Sequence, residues 1–104
     1  MILYETSAGS IERQKALESY VEDNSTILLS VEETSHIVTC LDHLLDWYET
    51  GRPLGDFLTN LLRNDLKSTL ATADSTNKKG IEIYVFFCHW QLPYNYKKKI
   101  KGES

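Results

Sequence analysis

Only two cysteines, two prolines and five glycines occur in 104 residues, and each scarcity excludes something. Cys40 and Cys88 are too few for the disulfide framework of a small secreted domain, and in a reducing compartment free thiols are expected. Long apolar runs are also missing. Runs such as Ile27 to Leu29 and Tyr84 to Cys88 fall far short of the roughly 20 residues that cross a bilayer. Met1-Ile2-Leu3-Tyr4-Glu5 lacks the basic region and extended apolar stretch of a signal peptide, so a cytoplasmic location is expected. No glycine-rich phosphate loop, G-x-S-x-G elbow, H-E-x-x-H motif or paired-carboxylate pattern occurs, which reads as a protein that is not an enzyme.

What is present has ordinary globular proportions, 41% hydrophobic and 25% charged, which excludes wholesale disorder. A chain this short is expected to build one core, a single helical domain over residues 1–96 followed by a basic tail at 97–104. The net charge of −4 conceals an asymmetry. Residues 1–50 hold two basic against ten acidic side chains (−8), and residues 51–104 hold nine against five (+4). A split of this kind can orient a molecule against a charged partner, although charged helix faces are commonly plain solvated surface.

Helix signals dominate the chain. Ser30-Val31-Glu32-Glu33 has the Ser-x-x-Glu form of a capping box, and Ile37, Val38, Leu41, Leu44, Leu45 and Tyr48 then recur every three or four residues. Gly51 and Pro53 supply a stop, so a helix over Ser30–Thr50 is predicted with those six residues as its core face. Upstream, Ser10 is positioned to cap a helix reaching Asp23, with Ile11, Leu17, Tyr20 and Val21 as its apolar stripe. Residues 24–29 read as a connector, and Met1 to Tyr4 as a short strand or an extended arm. From Leu54 to Ala73 the residues Leu54, Phe57, Leu58, Leu61, Leu62, Leu66, Leu70 and Ala73 again have helical spacing, which Asn64-Asp65 is placed to divide in two. Asp74 or Ser75 would cap a final element. There the signals conflict, because Ile81-Glu82-Ile83-Tyr84-Val85-Phe86-Phe87 after Gly80 favours a strand by propensity, whereas a lone strand has no partner in a helical chain.

Gly55-Asp56-Phe57-Leu58-Thr59-Asn60-Leu61-Leu62-Arg63-Asn64-Asp65-Leu66, then Ala73-Asp74-x-x-Asn77, then Pro93, resembles the pattern G-x-F-L-x-x-x-L-x-N-D-L, A-D-x-x-N and an amphipathic helix ending at proline. That pattern marks a family of short proteins found in phages and prophages. The resemblance covers residues 55–93. It departs where Leu70-Ala71-Thr72 replaces a more usual Phe-Gly-Arg, where His89-Trp90 replaces Tyr-Asn, and after the proline, where a Cys-Trp-Gly-Ser stretch is missing. It implies a helix over residues 75–91 and hence an all-α bundle of four to five short helices. It also implies a mobile-element origin. By association, it suggests an accessory protein that binds a host or phage protein, the sharpest version being an anti-CRISPR-like inhibitor of a bacterial defence system. The same residues also have a structural reading, with Asp74 and Asn77 at a helix start and Asn64 and Asp65 at a junction.

Two groups of side chains stand out as an interaction surface. On the Ser30 helix, His36-x3-Cys40-x2-His43 occupies an arc of about 60°, with Trp47 on the same stripe, roughly 120° from the core face. Trp90, Tyr94 and Tyr96 form an aromatic end, and aromatic residues are frequent interface anchors. Both groups are equally consistent with completing the core. His36, Cys40 and His43, with Cys88 or His89, are also chemically suited to zinc, but the spacing matches no zinc module, so no metal and no cofactor are expected. Cys40/His43 and Cys88/His89 are formal nucleophile–base pairs whose geometry sequence does not establish. Lys97, Lys98, Lys99 and Lys101 beside Tyr94 and Tyr96, with Lys78 and Lys79, carry the case for nucleic acid, against which the acidic balance argues. The partner expected is a host or phage protein, with a homo-oligomer also open and a membrane excluded. The alternative is a small nucleic-acid- or metal-binding regulator.

Overall fold

The computed structural model describes residues 9–92, and over that range the chain is all-α. Five helices follow one another: α1 (Ile11–Asn24), α2 (Val31–Thr50), α3 (Asp56–Leu62), α4 (Leu66–Thr72) and α5 (Ser75–Trp90). The arm at Met1 to Tyr4 and the tail at 97–104 lie outside the described residues.

Side-chain caps fix four of the five starts. Ser10 Oγ accepts from the Arg13 N–H at 3.1 Å. Ser30 and Glu33 form the complete capping box, each side chain accepting from the other's N–H, at 3.0 and 2.9 Å. Asp65 and Asp74 accept from Ser68 N–H at 3.2 Å and Asn77 N–H at 2.7 Å. α2 stops where Gly51 turns left-handed, with φ 78°. The division at Asn64-Asp65 is real: Asn64 adopts φ 61°, which asparagine tolerates better than most residues, and Asp65 restarts the helix.

α2 is the spine. Ile37, Leu41, Leu44 and Leu45 are wholly buried. Packed around them are Leu17 and Val21 from α1, Phe57, Leu58 and Leu62 from α3, and Ile83, Tyr84 and Phe87 from α5. α1 runs antiparallel to α2, since Arg13 near its start meets Asp42 and Glu49 in the second half of α2. α5 is antiparallel too, because Asn77 meets Cys40 while Gly80 abuts Ile37. Lys79 pairs with Glu33 across the same seam and, with the Ser30 backbone N–H, holds the Glu33 carboxyl below the usual range.

The conflict of signals over Ile81–Leu92 resolves as the all-α reading expects: the segment is helical through Trp90, because helical spacing buries Ile83, Tyr84, Phe87 and Cys88 together in the core and turns Val85 and Phe86 outward. Other positions differ from the sequence expectation. Ile11, the first residue of α1, is 71% exposed rather than core. Tyr48 is half-buried, while Cys40 and Trp47 are buried, so the covered face of α2 is broader than the six-residue stripe. Leu66 and Leu70 are exposed, since the left-handed turn at Asn64 breaks the phase of the α3 stripe and leaves α4 burying only Thr69.

Candidate functional site

α5 begins beside the first half of α2, and the crossing gathers five polar side chains. Asp74 caps α5, and its Oδ2 lies 3.5 Å from His36 Nε2. That same nitrogen is 3.9 Å from Cys40 Sγ. The Cys40 thiol in turn faces Asn77 Oδ1 at 3.8 Å, and the Tyr84 hydroxyl donates to that oxygen at 2.7 Å. Asp74, His36 and Cys40 thus carry the residue types of an acid–base–nucleophile relay without its geometry. A relay requires the acid and the nucleophile on opposite ring nitrogens. Here one nitrogen faces both.

Electrostatics point the same way. Burial pushes the Cys40 thiol above its ordinary pKa; the Tyr84 hydrogen bond opposes this and the Asp74 charge adds to it. Tyr84 is raised by burial and then by the neighbouring Cys40. Burial pushes Cys88 up to about 12. Both thiols are free, buried and held protonated at neutral pH, the state in which sulfur is a poor nucleophile and a poor metal ligand.

The stripe His36, Cys40, His43, Trp47 is therefore not one surface. His36 is exposed and His43 half-buried, but Cys40 is 9% exposed and Trp47 1%. The physical reason is that α2 is covered on more than one side, so a stripe 120° from the main core face still meets neighbouring helices. Among the described residues, no group of three or more His, Cys, Asp or Glu side chains is arranged to hold a metal ion. Cys88 is buried on α5 beside Tyr20, and its neighbour His89 is exposed.

The aromatic end fares differently. Trp90 is 70% exposed at the last turn of α5, with the His89 ring edge-on to it at 4.5 Å. Phe86, at 45% exposure, lies one turn back on the same face, and Val85, at 48%, is exposed about 140° round the helix from Trp90. Tyr94 and Tyr96 lie outside the described residues. Val85 and Phe86 are not among the residues that the sequence singles out as an interaction surface. The signal was present in the i, i+4 pair Phe86–Trp90.

The motifs of residues 55–77 resolve into architecture. Phe57 and Leu58 fill the core, Asn64 makes the left-handed turn, Asp65 and Asp74 cap, and Asn77 is a buried amide between α2 and α5. No protein-family model matches this chain, and no curated protein or solved structure is significantly similar to it. No helix among the described residues is long and apolar enough to cross a membrane.

Proposed function

We propose that the protein is a phage-type accessory protein that acts by protein–protein interaction, occupying a surface on a host protein. Inhibition of a bacterial defence system is the form in which to test it. The observation that carries the interaction reading is the outward face of α5, where Val85, Phe86, His89 and Trp90 stand exposed at the end of a helix whose other side is core. A tryptophan left 70% exposed beside a phenylalanine is the composition of a binding anchor. The resemblance over residues 55–93 supplies the phage context. The buried, protonated thiols and the single-nitrogen arrangement at His36 support a mechanism of occupancy rather than catalysis.

The test is phage plating on bacterial strains that differ in the defence system they carry, with the protein expressed as wild type or as Trp90→Ala. On one such strain the wild type restores plating and co-purifies with a component of that system in fixed ratio. Trp90→Ala, equally abundant and equally helical, loses both, since truncating an anchor costs about 2 kcal/mol or more of binding, roughly thirtyfold. No rescue on any defended strain, or a Trp90→Ala variant indistinguishable from wild type, overturns the proposal.

A further inference from the structure

A second surface lies on the outer side of the α1–α2 pair, away from the α5 anchor. Gln14, Glu18 and Glu22 follow one another at four-residue spacing along α1, opposite Val31, Ser35 and Thr39 at the same spacing on α2. The short Ser35 and Thr39 side chains cannot fill the space between the two helices. An open groove results, made of two adjoining hollows of about 220 and 450 Å³ that share Gln14, Glu18 and Ser35. Leu17 and Val38 close its bottom and are themselves buried, and the remaining lining of that hollow is mostly polar. One end opens on Leu29 and Val31. The adjacent connector leaves Leu28 96% and Ile27 48% exposed, and Val31 itself is 87% exposed.

The charge on this groove has one sign. Among the described residues its carboxylates are Glu18, Glu22 and Asp42, and no lysine or arginine lines it. Asp42 is engaged from below by Arg13 at 3.6 Å and by the Gly9 N–H at 3.4 Å, which leaves Glu18 and Glu22 as the acidic wall. From Val31 to Asp42 the groove runs about 16 Å, three turns of a helix. We infer that the α1–α2 groove is a docking site for a basic amphipathic helix of a partner protein. Its apolar stripe rests on Leu29 and Val31 with the exposed connector residues Ile27 and Leu28 beside them, and its lysines or arginines flank Glu18 and Glu22. A helix laid into a two-helix groove buries its apolar face in the manner of a third bundle member, and opposite charge on the rim sets which helices are accepted.

The site is separate from the α5 face, and its test contains no host protein, so the two readings fail independently. Two helical peptides with an identical leucine stripe, one bearing lysine and the other glutamate at every polar position, are titrated against the full chain by fluorescence anisotropy. The lysine peptide is expected to bind saturably, more weakly as salt rises, and the glutamate peptide not to bind. Glu18→Lys combined with Glu22→Lys should weaken the lysine peptide about tenfold or more. Ser35→Trp, at an exposed position that tolerates a large side chain, should fill the groove and abolish binding, with circular dichroism confirming that both variants are folded. Equal binding of the two peptides, binding of neither, or unchanged affinity in the folded Ser35→Trp variant overturns the inference. So does a concentration-dependent dimer that Ser35→Trp dissolves, because the groove's occupant is then a second copy of this chain.

Discussion

Asn77 is the residue on which the α2–α5 seam depends most directly. Its amide oxygen accepts from the Tyr84 hydroxyl and the Cys40 thiol, and all three residues are buried. A buried hydroxyl deprived of its acceptor costs roughly 1–3 kcal/mol, whereas removing the hydroxyl leaves Asn77 with the thiol still beside it. Asn77→Ala should therefore destabilise the protein by about 2 kcal/mol in urea titration, and more than Tyr84→Phe does. The double variant should fall short of the sum by about 1 kcal/mol; strict additivity would show the two groups do not interact. The buried thiols give a second prediction. Cys88 is raised from 9.0 to about 12 by burial, and Cys40 is raised for the same reason. Above pH 9 the unfolded chain releases these protons while the folded one retains them, so stability is fully present below pH 9 and is lost as pH climbs towards 12. Thermal melts across that window should show Tm declining, and Cys88→Ala should make the decline shallower. An identical slope in the variant would assign the alkaline lability elsewhere.

Helix α5 carries a glycine at its middle, and its neighbours explain why. A Cβ on Gly80 would lie 3.0 Å from Ile37 Cδ1 and 3.2 Å from both Ile37 Cγ1 and Tyr84 Cε2. Ile37 is fully buried, and the Tyr84 ring is held by its bond to Asn77, so neither side chain has room to give. Gly80→Ala gains about 0.5–1 kcal/mol of helix propensity, but overpacking of this kind costs about 1–3 kcal/mol. The net result should be a lower Tm, and a higher Tm would show that α2 and α5 can separate without loss. In the sequence this glycine looked like punctuation before a strand, because close approach between two helices leaves no trace in the propensity of either. α2, by contrast, was legible to the residue: its capping box, its leucine spacing and Gly51 are local signals, and local signals survive folding. Arg13 shows the opposite case. Nothing local marks an arginine as buried, yet it lies at 0% exposure with Glu49 2.8 Å from Nη2. Cys40 and Trp47, equally open to surface or core in the sequence, are buried for the same reason, since only the packing of the neighbouring helices decides how much of α2 is covered. Of the candidate site, Trp90 is singled out by the sequence as an aromatic that could anchor a partner or complete the core, while the exposure of Val85 and Phe86 is set by which side of α5 the other helices cover.

Across the whole molecule, burial is distributed unevenly, and the consequence is dynamic. α1, α2 and α5 share a continuous core, and α3 contributes Phe57, Leu58 and Leu62 to it. α4 contributes no hydrophobic side chain: Thr69 is its only buried residue, while Leu66 and Leu70 are 68% and 43% exposed. What holds α4 is the Asp65 cap, hydroxyl bonds such as Thr69 Oγ1 to Asp65 O at 2.6 Å, and the amide of Asn60, which reaches Ser68 O at 3.5 Å and Thr72 Oγ1 at 3.4 Å. Polar contacts of this kind, exposed or only partly buried, contribute little against the entropy of ordering a seven-residue helix, so α4 can open while the core stays closed. In native-state hydrogen exchange, amides of α4 should exchange through local opening, at rates insensitive to a core variant such as Leu41→Ala, whereas those of the middle of α2 should exchange only on global unfolding and accelerate in step with the loss of stability. Equal protection of α4 and α2 would mean that the five helices open as one unit, and the exposed leucines of α4 would then need a covering that the core does not supply.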